Sequence, residues 1–239
     1  MYFIANWKMF GNLKTINSLN NVINFKKKFN EKKFKVIYCP PSTLLYPLSI
    51  KLKSTSIEMG GQNCHESINF GPNTGQINSK LLKNVGAKYV ILGHSENRQL
   101  GEDDNLINKK VHSALKNDLK VILCIGETLK QKKKKITTKI LSKQILKGLK
   151  NVKYKKKILI AYEPTWAIGT GLVPKEKELS KIIGFIKNKL KRVQVLYGGS
   201  VNRKNITNLK KINNLDGFLI GGASLNSKNF IDIIKKTFN

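Results

Sequence analysis

The chain predicts a (β/α)8 barrel. Eight short β-branched or aromatic runs, at 2–6, 35–39, 56–60, 89–93, 120–125, 157–161, 193–197 and 217–220, alternate with longer lysine-rich amphipathic stretches. The repeat is about 30 residues, the length a right-handed βαβ crossover requires. A doubly wound open sheet shares this local pattern. What favours the barrel is the placement of Asn6, Lys8, His94, Glu163, Ser200 and Gly221, all at or just past strand C-terminal ends. In a barrel those ends converge on one mouth. No Pro/Ser-rich linker or break in composition divides residues 1–239, so one domain is expected.

Taken in order, the elements place distinct chemistry at that mouth. The first strand ends at Asn6, with Trp7 and Lys8 directly after it, and a helix follows near 15–30. The second ends at Cys39-Pro40-Pro41, best read as strand-end packing. After the third comes an interval, 61–78, with little periodicity. Loops that long in compact domains usually have a job. The fourth strand runs Val90-Ile91-Leu92-Gly93 into His94, and Ser95-Glu96 open a short helix, with a longer one over 105–117. A helix N-terminus disfavours an imidazolium, so a neutral ring there can donate a hydrogen bond. The fifth strand leads to Gly126-Glu127, read as a buried polar contact, and a helix over 133–149. The sixth ends just before Glu163, and Pro164 turns that residue away from helix. Residues 164–174, with Gly169 and Gly171 near the tip, form a small-residue flap able to close over a ligand. A helix over 176–190 follows, and Trp166 is expected at the flap's hinge. The seventh and eighth strands end at Gly198-Gly199-Ser200 and Gly221-Gly222, slots where many barrels hold a phosphate, and a helix over 228–236 closes the chain.

Seven segments together resemble the triosephosphate isomerase family: NWKM at 6–9, YCPP at 38–41, GHSENR at 93–98, CIGE at 124–127, AYEPTWAIGTG at 161–171, YGGSV at 197–201 and GGASL at 221–225. They span the chain in the family's order. The resemblance implies interconversion of dihydroxyacetone phosphate and D-glyceraldehyde 3-phosphate through an enediolate, a step of glycolysis and gluconeogenesis. It implies Glu163 as the base, His94 as the electrophile, Lys8 with Asn6 as charge and companion, and Glu96 as an acid beside them. Substrate binding would fall to Asn6, Lys8, Gly169, Ser200, Gly221 and Gly222. It implies no cofactor and no metal, and the sequence carries no Rossmann fingerprint or metal-ligand cluster. His65 and His112 lack comparable surroundings and are read as non-catalytic. The resemblance also implies a homodimer in which loop 61–78, with Thr74 and Gly75 at its tip, completes a neighbour's site. Gln76 stands where the family usually has a Glu that pairs with an Arg matching Arg98 of the other subunit, so that contact loses its charge. Another sugar-phosphate barrel would share the phosphate slots without needing both the Glu163 lid and His94.

Composition bounds the alternatives. The net charge of +31 invites a polyanion-binding reading, but of 45 basic residues only Arg98, Arg192 and Arg203 are arginines. Base readout and bidentate phosphate contacts favour Arg. The lysines cluster on predicted helices, as at Lys26–Lys28 and Lys132–Lys135, which reads as a solvated surface with no dedicated nucleic-acid partner. Biased base composition suffices to explain them, since Lys, Asn and Ile share A- and T-rich codons. No apolar run of 18 residues marks a membrane span, and the start lacks a signal-like pattern, so a cytoplasmic location is expected. Cys39, Cys64 and Cys124 are odd in number and far apart, which argues against a disulfide framework; Cys39 and Cys124 are expected to pack as small hydrophobes.

Overall fold

Eight parallel strands close on themselves in the computed structural model, which describes residues 1–29, 33–153 and 155–239. The strands are β1 (Tyr2–Asn6), β2 (Lys35–Cys39), β3 (Glu58–Gly61), β4 (Tyr89–Leu92), β5 (Lys120–Ile125), β6 (Ile158–Tyr162), β7 (Gln194–Tyr197) and β8 (Gly217–Ile220). Each pairs with the next in order, and β1 also pairs with β8, Tyr2 opposite Gly217 and Ala5 opposite Ile220. The open-sheet alternative is thereby excluded.

Strand alternation sorts the core into two. Ile4, Ile37, Tyr89, Ile91, Ile122, Leu159, Leu196 and Leu219 fill the barrel, together with Cys39 and Cys124 acting as small hydrophobes. Their chain neighbours, such as Phe3, Val90, Leu123 and Ile160, face outward and pack with the helices. The period-2 rule then aims the residues just beyond each strand. Leu159 and Ala161 point inward, so Glu163 inherits the inward parity; Ile4 does the same for Asn6.

The expected strands stand within two residues of their observed ends. The start of β3 moves from 56 to 58 because Thr55 Oγ1 donates to Leu52 O and accepts from the Ile57 amide, holding that stretch in a turn. Two expected helices are split. The one over 15–30 is Leu13–Asn17 followed by Asn20–Lys28, with Ser18 Oγ donating back to Thr15 O at the break; residue 30 lies outside the described residues. The one over 133–149 is Leu129–Lys133 and Thr137–Gly148, separated by Lys135 at φ +57°. A run of four lysines carries no apolar periodicity, so the sequence hides this joint. The helices Asp104–Lys116, Glu176–Lys189 and Ser227–Phe238 stand close to expectation, whereas Leu45–Leu52, Ser79–Asn84 and Ile206–Leu209 fill intervals between strands where helix is expected without definite bounds.

The long interval 61–78 is tied down by backbone and side-chain bonds. His65 N donates to Ile77 O, Asn78 Nδ2 to Asn69 O, Ser113 Oγ to Ser67 O, and Asn117 Nδ2 to Ile68 O. Ile68 and Phe70 remain exposed on it.

Candidate active site

Glu163 continues the β6 ladder, its amide donating to Ile125 O at 2.8 Å, before Pro164 stops the strand. Its carboxylate lies inside the mouth, 2% exposed, with Oε1 3.5 Å from His94 Nε2. Oε2 is buried without a hydrogen-bond partner among the described residues. Burial pushes this carboxyl above the ordinary glutamate range; His94, the Cys124 thiol and Lys8 pull the other way and offset only part of it. Room for the side chain comes from Gly198: a Cβ there would stand 2.7 Å from Glu163 Cγ.

His94 follows Gly93, whose φ of +69° breaks the strand's alternation. The histidine becomes the N-cap of the helix Ser95–Gln99, where its Nδ1 accepts from the Glu96 amide at 3.3 Å. A ring nitrogen that accepts carries no proton, so the remaining proton of the neutral ring sits on Nε2, the atom that faces Glu163. Lys8 adopts φ +53°, a conformation side-chain-bearing residues rarely take. Asn6 Oδ1 accepts from its amide at 3.0 Å. Gln62 Nε2 donates to the Lys8 and Cys39 carbonyls, both at 2.8 Å. The Lys8 ammonium meets Glu96 Oε1 at 2.7 Å.

These groups share one cavity of about 350 Å³, lined by Asn6, Lys8, His94 and Glu163 on one side and Gly169, Ser200, Gly221 and Gly222 on the other. Glu96, half exposed, joins the site through its pair with Lys8 and lines a neighbouring groove of about 510 Å³ with Met9, Gly75, Gln76 and Leu100. The structure thus brings together every residue the sequence singled out for the site.

The flap is docked onto the mouth. The Ser200 amide and Oγ both donate to Ala167 O, at 3.0 and 2.7 Å, and Oγ accepts from the Gly171 amide at 3.0 Å. Ser200, expected to face a phosphate with both donors, spends them on the flap here. At the flap's root, Trp166 Nε1 donates to Glu127 Oε1 at 3.0 Å, and Thr165 binds Glu127 O through its amide and hydroxyl. Glu127 is fully buried and also accepts from Tyr162 OH. Burial raises its carboxyl despite those donors. Three contacts escaped sequence reasoning: Gly198 as space for the Glu163 side chain, Gln62 as a brace for Lys8, and Ser200 as a latch. Each depends on a contact between distant segments, and only Gly198, within its Gly-Gly pair, left a mark in the sequence.

Arg98 is satisfied within its own chain. It donates to Gly93 O at 2.8 Å and Cys124 O at 3.3 Å and pairs with Asp104 at 2.7 Å. Glu102 pairs with Lys110 and accepts from Asn63 at 2.6 Å.

The family model for triosephosphate isomerase matches residues 1–237. The chain belongs to the triosephosphate isomerase family. Among relatives named triosephosphate isomerase, that of Thermodesulfovibrio yellowstonii is 38% identical over 244 residues, with 98% of each chain covered. That of Wolbachia pipientis wMel is 40% identical over 237 residues, covering 98% of this chain and 92% of its own. The crystal structure of triosephosphate isomerase from Bartonella henselae superposes with a TM-score of 0.90 at 32% identity, covering 100% of this chain and 99% of that one. The triosephosphate isomerase fold is therefore shared along the whole length, barrel closure included.

Proposed function

We propose how this member of the triosephosphate isomerase family interconverts dihydroxyacetone phosphate and D-glyceraldehyde 3-phosphate. The observation that carries the reading is a buried carboxylate, Glu163, set against His94 Nε2 at 3.5 Å under a docked flap. Glu163 takes a proton from the carbon beside the carbonyl and returns it to the neighbouring carbon. His94 donates Nε2–H to the oxygen on which charge develops, and the Lys8 ammonium stabilises that enediolate and the phosphate. Asn6 holds the Lys8 turn, and Glu96 balances the lysine's charge. Gly169, Gly221 and Gly222 offer backbone amides to the phosphate, with Ser200 securing the flap that keeps water from the intermediate. No step passes through a cofactor or metal.

We further propose one domain over 1–239, with 164–174 as the lid and 61–78 as a dimerisation arm. The exposed Met9, Phe10, Leu100 and Phe70, two of them beside the groove that Gly75 and Gln76 also line, support a homodimer. Among the described residues no helix is long and apolar enough to cross a membrane. A cytoplasmic location, where glycolysis and gluconeogenesis draw on this reaction, fits the activity.

A coupled assay of triose-phosphate interconversion tests the chemistry. Wild-type protein turns over. Glu163→Asp withdraws the carboxylate by one methylene and lowers kcat about 100-fold. Unchanged kcat in that variant removes Glu163 from its role.

A further inference from the structure

Between Thr128 and Tyr162 the chain has thirteen lysines and no acidic residue. Most of their side chains are exposed, and among the described residues only Lys132 and Lys157 find an acidic partner. Lys132 is singular in where its contacts lead. Its helix, Leu129–Lys133, is pinned by a reciprocal cap, Thr128 N donating to Gln131 Oε1 at 2.8 Å and Gln131 N to Thr128 Oγ1 at 3.3 Å. From that fixed base the ammonium lies 3.6 Å from the centroid of the Trp166 ring. It also stands 2.9 Å from Glu178 Oε1 and 3.1 Å from Oε2. Trp166 is at the root of the flap, and Glu178 is in the first turn of the helix Glu176–Lys189 into which the flap runs. One cation therefore bridges the root of the flap and the helix that follows it.

We infer that Lys132 is a positioning residue for lid closure, a strap that joins the root of the docked flap to the helix that follows it. The inference rests on the isomerase reading above and extends it. The docked root is held by Trp166 Nε1 on Glu127, and that same placement puts the indole face over the Lys132 ammonium. Lifting the root moves the ring away from Lys132 while Glu178, on its own helix, stays. The attraction of cation for ring is thus made in the docked flap and forfeited in the lifted one, which biases the equilibrium towards closure. At 28% exposure for Lys132 and 36% for Glu178, the pair is neither fully screened nor starved of solvent.

The test uses inorganic phosphate as the probe and tryptophan emission as the reporter. The chain has two tryptophans, and the other, Trp7, is fully buried away from solvent. In Lys132→Met, the phosphate concentration that half-saturates the emission change rises about three- to tenfold, and KM for the triose phosphate rises with it. Lys132→Arg restores both. Glu178→Gln gives a smaller shift in the same direction, and combining it with Lys132→Met adds little. The phosphate titration does not depend on the roles of Glu163 and His94, so a protein without isomerase activity still reports on the strap. A Lys132→Met protein that melts earlier but titrates and turns over like the wild type overturns the inference, as does an Arg variant that restores neither value. If Lys132→Met does not fold, Glu178→Gln decides by the same two measurements.

Discussion

At the scale of single residues, the site depends on a carboxylate kept where water is scarce. Burial is the largest influence on Glu163 and raises its pKa above the ordinary glutamate range. Two consequences have opposite signs. In its proposed role as base Glu163 works only when ionised, so kcat/KM falls as pH drops through that raised value, earlier than an exposed glutamate would cause. Stability moves the other way. A raised folded-state pKa means the fold favours the protonated form, so the group's contribution is fully present below the unfolded pKa and is lost as pH rises through the folded one. Glu163→Gln is therefore inactive, yet at pH 8 its thermal midpoint equals or exceeds that of the wild type, and the gap closes as pH falls towards 4. Glu127 is raised for the same reason but is present in both proteins, so it cancels in the comparison. Melting curves of the two proteins across pH check this; a Gln variant less stable at pH 8 contradicts the burial penalty.

At the scale of elements, the lid is held by few bonds, and Ser200 Oγ makes two of them. Ser200→Ala removes both while leaving its amide on Ala167. At about 0.5–1.5 kcal/mol for each hydrogen bond, lid docking loses roughly 1–3 kcal/mol. By the rule that 1.36 kcal/mol is tenfold in rate, kcat/KM drops roughly five- to 150-fold. Steady-state kinetics of the variant tests this, and wild-type kcat/KM shows that the latch is idle. The strands and the candidate site residues were legible because their positions obey local rules. Ile158 to Tyr162 is a continuous apolar run that Glu163-Pro164 ends, and His94 stands between a strand and a helix cap. The latch was not legible, since Ser200 lies 29 residues from Gly171 in sequence and meets it only across the barrel mouth. The split at Lys135 was hidden for a different reason: it ends a run of four lysines, Lys132–Lys135, and that run has no apolar face to mark a period. Gln62 escaped because an amide that braces two carbonyls carries no spacing signature.

At the scale of the molecule, the charge of +31 sets the terms of assembly. Met9 and Leu100 are 93% and 86% exposed beside the groove, an apolar surface that a second copy would cover. Arg98 already has Asp104, so a neighbour's Gln76 need not supply charge, and assembly depends little on salt through that contact. Like-charge repulsion between two such chains dominates instead and is screened as salt rises. Light scattering therefore finds a mass of twice 27.0 kDa at moderate salt and a greater monomer fraction at low salt. A fully active monomer at micromolar concentration refutes the interface while leaving Lys8, His94 and Glu163 in their roles. The closure of the barrel carries a further consequence for its birth on the ribosome. β1 is made long before its second partner, β8, which ends at Ile220. At ~5–20 residues per second, β1 waits roughly 10–40 s with one edge unpaired. Throughout that wait the growing chain is studded with lysines, and neighbouring nascent chains repel one another just when an open edge would otherwise invite them to join.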